Sequence, residues 1–193
     1  MEYFKNIYNH DILKQKINYI AVFTLIFESF KDFIITQPRD FLCLMGIKDG
    51  KLNYIESPEY KKLRSLDKRH LDNASFKWFI ELNAFSEEDF AIYNDSRKKR
   101  NRIVHEMISE VGEKVTEEDM ELLVKMIELY RKIDKWWINE IEIQISTDEI
   151  SGNYDSNDIF SIQDMILESI VDIAIGDGKM YSRISSLFNQ QNK

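Results

Sequence analysis

Apolar residues recur at spacings of three and four along most of the chain, which is the period of an amphipathic α-helix. The longest such stripe predicts a helix from Asp11, a suitable N-cap, to about Thr36, with Pro38 just beyond as its stop. Further aromatic residues make this helix apolar over much of its circumference, so we expect it to lie centrally in the fold. Its predicted buried face contains Leu13, Ile17, Ile20, Thr24, Phe27, Phe30 and Ile34.

Residues 39 to 56 break the helical pattern. Asp49-Gly50 lies between two short apolar runs, which is compatible either with the turn of a small β-hairpin or with a plain loop. Ser57-Pro58 has the form of an N-cap followed by proline at the first helical position, and it predicts one or two short helices through Phe85.

Two capping boxes mark the starts of the next helices. Ser86-Glu87-Glu88-Asp89 predicts a helix that reaches about Glu110, before Gly112. Thr116-Glu117-Glu118-Asp119 repeats the device and opens a helix that extends to about Ile145. In both boxes the first and fourth side chains satisfy each other's backbone N–H groups, so these helix starts are specified locally.

The C-terminal quarter begins with a polar segment, residues 146 to 157, which predicts a linker. An isoleucine stripe then predicts a last amphipathic helix from Asp158 to Ile175, followed by a short terminal helix. We therefore predict an all-α fold with an antiparallel helical bundle at residues 1 to 146. Residues 147 to 193 would add the linker and C-terminal helices, which pack on the bundle or on a partner subunit.

Composition agrees with this fold class and limits the classes of function. Only 6 Gly and 2 Pro in 193 residues favour long helices over many turns. The single Cys43 cannot form an intramolecular disulfide, no apolar run could span a membrane, and the N-terminus lacks a secretory pattern, so we expect a cytoplasmic protein. A net charge of −8 argues against broad adhesion to nucleic acid, so any contact with RNA needs a local basic patch.

Such a patch lies at residues 94 to 102, where nine consecutive positions carry no apolar side chain. This is about two and a half helical turns with nothing to contribute to a core. Continuing the apolar stripe of Tyr93 and Val104 through the gap places Arg97 and Arg100 on the predicted buried face. Because burying unpaired charges is costly, we expect both arginines to meet a partner, a water-filled cleft or an anionic ligand.

The same helix carries a second polar stripe, in which Lys98, Asn101, Arg102 and His105 follow one another at i, i+3, i+4 and i+7. Arg100 and His105 are separated by about 140° around an ideal helix, so their Cβ atoms do not share a face. A long arginine side chain reaches the same phosphate more easily where two helices meet at an interface.

The segment Arg100-Asn101-Arg102-Ile103-Val104-His105, with basic residues before it and a glutamate after it, resembles the Arg-Asn-x-x-x-His signature of the HEPN families. Members of these families are helical bundles, and many are homodimers. Their active forms are metal-independent endoribonucleases of toxin–antitoxin and phage-defence systems. The resemblance covers roughly residues 86 to 145, and outside that range only the helical character matches.

The resemblance implies that Arg100 and His105 are catalytic and that Asn101 orients them. Histidine suits proton transfer near neutral pH, and the planar, always-charged arginine suits stabilisation of negative charge on phosphorus. A cognate antitoxin would be a further protein partner, and no metal or cofactor would be required. The position two residues after the histidine, a tyrosine in many toxins paired with nucleotidyltransferase antitoxins, is Met107 here. The basic run itself could be a solvated helix face, but it stands out in an acidic chain, and we therefore expect Arg97, Lys98, Lys99 and Arg102 to bind RNA.

Two other functions remain compatible with the sequence. The first is a non-catalytic HEPN module that binds RNA, a nucleotide or a partner protein through the same basic cleft. The second is a helical scaffold that uses Arg97 and Arg100 to bind acidic partners, although a scaffold has no need for the Asn-to-His spacing. His10 and His70 have no converging neighbours in the sequence, so we expect surface or capping positions for both.

Overall fold

The computed structural model describes residues 2–48, 50–145, 161–174 and 176. Over these residues the predicted all-α class is confirmed, since helices make up the regular structure apart from one small two-stranded sheet. The predicted linker at 146 to 157 and the predicted terminal helix lie outside the described residues. The helices are α1 (Glu2–Ile7), α2 (His10–Leu42), α3 (Pro58–Ser65), α4 (Leu71–Glu81), α5 (Glu87–His105), α6 (Met107–Val111), α7 (Glu117–Trp137), α8 (Ile143–Ile145) and α9 (Ile162–Ala174).

Helix α2 does not stop where the sequence pattern predicts, because Pro38 lies inside it and the helix continues to Leu42. A proline in a helix removes one backbone hydrogen bond and crowds the carbonyl four residues earlier, so continuation needs compensation. Pro38 itself is buried, and Leu42 packs against the cluster of Cys43, Tyr60 and Leu63. Burial of these apolar groups offsets the local preference for a stop, and the predicted end near Thr36 is wrong.

The segment after α2 forms the hairpin rather than the plain loop. Strands β1 (Cys43–Lys48) and β2 (Lys51–Glu56) pair antiparallel, with Lys48 opposite Lys51 across a two-residue turn. Gly50 in that turn has φ +72°, a left-handed conformation that glycine adopts without a Cβ clash.

By its internal contacts the chain divides into two compact units. One comprises Phe27–Ala91 and contains the hairpin, α3, α4 and the C-terminal part of α2. Its core is aromatic: the rings of Phe76 and Phe85 stack with centroids 4.3 Å apart, and Phe30 packs edge-on against both. Ser57 caps α3 as predicted, by accepting a hydrogen bond from the backbone N–H of Tyr60.

The other unit comprises Met1–Ile26 and Ile92–Lys193. Thr116 and Asp119 form the predicted capping box of α7, and a single π-helical turn (Ile138–Glu142) joins α7 to α8. Helix α9 packs on α7, because Arg131 binds the carboxylates of Asp164 and Glu168. None of the helices in the described part of the chain is long and apolar enough to cross a membrane.

Candidate functional site

Helix α5 holds the residues that the sequence singled out, and its start is the predicted capping box. The backbone N–H of Ser86 donates to Asp89 Oδ2 at 2.8 Å, and the N–H of Asp89 donates to Ser86 Oγ at 3.2 Å. The helix ends at His105 instead of reaching Glu110, because Glu106 leaves the helical conformation (φ −121°, ψ 31°) before α6 begins. His105 is therefore the last residue of its helix.

The buried face of α5 differs from the predicted one by about one residue. Tyr93, Ser96 and Ile103 are the buried residues of this helix, and Val104 is 40% exposed. Arg97 and Arg100 are half-buried and are not among the buried residues of this helix, so the prediction that they lie on its buried face is wrong. Because Ile103 and Val104 are adjacent, the sequence pattern allowed either of them to face the core. The observed orientation buries Ile103 and the small Ser96, and it avoids burying two guanidinium groups.

Lys99, which belongs to the polar segment 94 to 102, turns its side chain towards the protein interior. There it is part of a buried ion-pair network. Lys99 Nζ lies 2.8 Å from Asp119 Oδ1 and 3.3 Å from Glu110 Oε2, and its side chain is only 12% exposed. Lys16 of α2 is fully buried, and its Nζ lies 3.0 Å from Glu110 Oε2. Arg102 completes the network, with Nε 2.6 Å from Glu110 Oε1. One fully buried carboxylate thus holds three cations.

This network shifts the titration of its two carboxyl groups. Burial on its own raises the pKa of Glu110, but the hydrogen bond and charge of Lys16 and the charges of Lys99 and Arg102 outweigh it, so the pKa is lowered. Asp119 behaves alike: burial raises its pKa, and its bonds to Lys99 and the Thr116 backbone lower it further than burial raises it. Both groups are therefore carboxylates at neutral pH, as three nearby cations require.

The network contains two of the residues predicted to bind RNA, Lys99 and Arg102. Only 12% of the Lys99 side chain is exposed, and its ammonium group pairs with Glu110 and Asp119. Arg102 is half-exposed, but Glu110 and Glu113 each accept from its guanidinium at 2.6 Å. These cations neutralise internal carboxylates. The sequence contained one indication of this network, the charged Lys16 among the apolar residues of α2. No local sequence pattern indicates which carboxylate Lys16 binds.

The other predicted RNA-binding residues remain near the surface. Lys98 is exposed and pairs with Asp95 at 2.8 Å, an exposed pair of the kind that contributes little and exchanges readily for another anion. Arg97 donates from Nη2 to Asn94 Oδ1 at 2.6 Å and lies over the Tyr93 ring, 5.7 Å from its centroid. These contacts hold the Arg97 guanidinium along the helix surface.

The three residues of the motif occupy the last two turns of α5. Arg100 donates from Nη1 to the side-chain oxygen of Asn101 at 3.1 Å, so the amide orients the guanidinium. Asn101 and His105 are both exposed. Within the described residues His105 makes no side-chain hydrogen bond, so its ring is accessible to a ligand. The structure thus joins Arg100 to Asn101, while His105, one turn after Asn101, lies about 140° from Arg100 around the helix.

Apolar side chains surround the exposed end of this helix. Val104, Met107 and Ile108 are 40%, 51% and 82% exposed, and we call them the motif-flanking patch. The backbone oxygen of Ile108 accepts a hydrogen bond from the Tyr3 hydroxyl at 2.8 Å, which ties α6 to the N-terminus. Exposed apolar residues grouped beside a polar motif are typical of a protein-contact surface.

The described part of the chain contains no group of three or more His, Cys, Asp or Glu side chains arranged to hold a metal ion. Fold and site together define an all-α helical protein with a polar Arg-Asn-His surface on one helix. Comparisons with protein-family models, with curated proteins and with solved structures find no match to this chain.

Proposed function

We propose that this protein is a metal-independent endoribonuclease that acts as a homodimer, as a toxin or phage-defence effector. The observation that carries the proposal is the oriented Arg100–Asn101 pair on the helix that ends with the accessible ring of His105. The resemblance of this segment to the HEPN signature supports the same assignment. Lys99 and Arg102 neutralise internal carboxylates, so the motif residues are not needed for that purpose.

The chemistry follows from what these side chains can do. In RNA cleavage the 2′-oxygen loses its proton and attacks phosphorus, the bond from phosphorus to the 5′-oxygen breaks, and that oxygen gains a proton. Histidine transfers such protons near neutral pH. The Arg100 guanidinium, held by Asn101, stabilises the negative charge that grows on the phosphoryl oxygens. The products carry a 2′,3′-cyclic phosphate and a 5′-hydroxyl, and no metal-bound water takes part.

A homodimer would bring together two side chains that point apart within one copy. Arg100 and His105 diverge by about 140° around the helix, so one copy does not aim both at the same phosphate. Two copies that meet at the motif-flanking patch bring Arg100 of one protomer towards His105 of its partner. Such an isologous contact also covers the exposed side chains of Val104, Met107 and Ile108.

We expect the protein to be a dimer in light scattering at micromolar concentration, and we expect Ile108→Glu to be monomeric. A charge at the centre of an apolar interface is desolvated without a partner, which opposes association. Ile47→Glu is the matched control, because Ile47 in the hairpin is also 82% exposed. It should remain dimeric. A monomeric parent at high micromolar concentration contradicts the proposed assembly.

The purified protein should cleave single-stranded RNA in the presence of EDTA and leave cyclic phosphate ends. Its expression in a bacterial host should be toxic. Several unrelated RNA sequences should serve as substrates, with end groups identified by mass spectrometry. Activity that vanishes with EDTA and returns with magnesium contradicts the mechanism proposed here.

The second candidate is a non-catalytic module that binds RNA, a nucleotide or a partner protein through the same surface. The divergence of Arg100 and His105 within one copy favours it, because a binding surface does not need both side chains at one phosphate. Binding of RNA with no cleavage of any substrate tested would select this alternative.

A further inference from the structure

The C-terminal part of α3 and the connection from α3 to α4 concentrate positive charge in a chain whose net charge is −8. Residues 61 to 70 contain five Lys or Arg side chains and one carboxylate, that of Asp67. The cations were not conspicuous in the sequence because Leu63 and Leu66 interrupt them at helical spacing. In the structure Leu63 is buried, so the basic residues between and after the leucines face outward.

Four of these cations, those of Lys61, Arg64, Lys68 and Arg69, line one surface cavity of about 650 Å³. All four side chains are exposed, and Ser65 adds a hydroxyl group to the wall. The cavity lies entirely within the compact unit of Phe27–Ala91. Its volume is within the range of ligand-binding clefts, and its cations are close enough in sequence to act on one ligand.

The two carboxylates in the wall are already engaged. Glu56 accepts from Arg64 Nη1 at 2.5 Å. Asp67 accepts from the backbone N–H groups of Arg69 and His70 at 3.0 and 3.1 Å, and from Asn73. These hydrogen bonds lower the pKa of Asp67 to about 2, and the bond from the Arg69 backbone has the largest effect. The Asp67 carboxylate thus binds backbone N–H groups immediately before α4.

The remaining cations have no such partner. Among the described residues no carboxylate pairs with Lys61, Lys68 or Arg69. On α5, by contrast, Lys98, Lys99 and Arg102 are each within 3 Å of a carboxylate oxygen. Unpaired cations around a concave surface produce a local positive potential that attracts anions, even in a protein of negative net charge.

We propose that this cavity is a second RNA-contacting surface, which binds the phosphodiester backbone of the strand through Lys61, Lys68 and Arg69. The identity of the polyanion as RNA rests on the proposed function. Tyr60 is 4% exposed, so its ring has no free face on which a base could stack. The groups that line the cavity and could bind RNA are therefore cations and a hydroxyl group, which bind phosphate. Binding at this surface is therefore independent of base sequence.

The test measures RNA affinity against salt concentration in the His105→Ala background, where the strand stays intact. Labelled single-stranded RNA is titrated by fluorescence anisotropy with the parent and with the triple variant Lys61→Ala/Lys68→Ala/Arg69→Ala. Each phosphate contact on a single strand adds about 0.7 to the slope of log K against log salt, so the triple variant should lose about 2 units of slope. The same relation predicts about 100-fold weaker binding at 0.1 M salt.

Lys62→Ala is the matched control. Lys62 is exposed on the same helix and does not line the cavity, so its removal should leave the slope unchanged. Equal melting temperatures show that the variants fold. Unchanged affinity and slope in the triple variant overturn the inference. Loss of binding to inorganic phosphate or free nucleotide with RNA affinity intact also overturns it, in favour of a small-anion site.

The experiments distinguish failure of the proposed ribonuclease activity from failure of the proposed second RNA-contacting surface. If the triple variant loses RNA affinity while the parent cleaves no RNA, this surface stands and the ribonuclease does not. If His105→Ala abolishes cleavage and the triple variant binds RNA like its parent, the ribonuclease stands and this surface does not. With wild-type His105, the triple substitution should raise KM and leave kcat unchanged, because it removes contacts made equally in ground and transition states.

Discussion

Replacement of His105 by alanine is expected to slow RNA cleavage by about 10²–10⁴-fold, the usual contribution of one proton-transfer group. Arg100→Ala should cost a comparable factor, because it removes the charge that stabilises the phosphorane oxygens. Arg100→Lys keeps the charge and loses the planar fork held by Asn101, so it should restore only part of the rate. The measurement is the first-order rate constant for cleavage of single-stranded RNA in EDTA, under single-turnover conditions.

His10→Ala is the matched control for this experiment. His10 is an exposed histidine at the start of α2, outside the motif, so its loss should leave this rate constant unchanged. Circular dichroism and melting temperature must match the parent for every variant. A folded His105→Ala protein that cleaves at the parent's rate would refute the catalytic assignment. Expression of either catalytic variant should be tolerated by a host in which the parent is toxic.

The largest expected effect on stability is that of Glu110→Ala. Glu110 is fully buried and binds Lys16, Lys99 and Arg102, so its removal leaves Lys16 buried with only Asp119, 3.7 Å away. Removing one partner of a buried ion pair typically costs about 3–5 kcal/mol. That is a large part of the total free energy of unfolding of an ordinary domain, which is about 5–15 kcal/mol. Urea unfolding measures the difference.

Glu113→Ala provides the comparison, since it removes another carboxylate from Arg102 at a half-exposed position. An exposed pair contributes about 0–1 kcal/mol, so this variant should resemble the parent. Lys16→Met should cost less than Glu110→Ala, because Glu110 keeps Lys99 and Arg102 as partners and the apolar side chain fills the space. An unchanged free energy of unfolding in Glu110→Ala contradicts the assigned role of the network.

The same network sets the direction of the acid response. The pKa of Glu110 in the folded protein lies below its ordinary value of 4.5, so the carboxylate's contribution to stability is complete above about that pH. The contribution is lost as the pH falls from 4.5 through the lower pKa of the folded state. Glu110→Ala should therefore show a weaker loss of stability over this acid range than the parent.

The sequence determined the features that depend on neighbouring residues. Both capping boxes and the Ser57-Pro58 helix start act within a few residues, and the structure contains the helices that they predict. Between Asp40 and Ser57 the sequence left a hairpin and a plain loop open, and the structure contains the hairpin. The all-α class follows from the same local periodicity. The sequence also identified the residues 94 to 102 as a segment that needs polar partners.

Only the tertiary structure decided where those partners are. Local propensity predicted a stop at Pro38, and burial of the proline ring together with the packing of Leu42 overrode it. The apolar stripe on α5 had two possible orientations, and the ion pairs of Lys99 with Glu110 and Asp119 favour the one in which Lys99 turns inward. An ion pair between distant positions leaves no local pattern, because its free energy depends on burial and distance in the folded chain. The cavity of Lys61, Lys68 and Arg69 was hidden for the same reason: concavity is a property of packed helices.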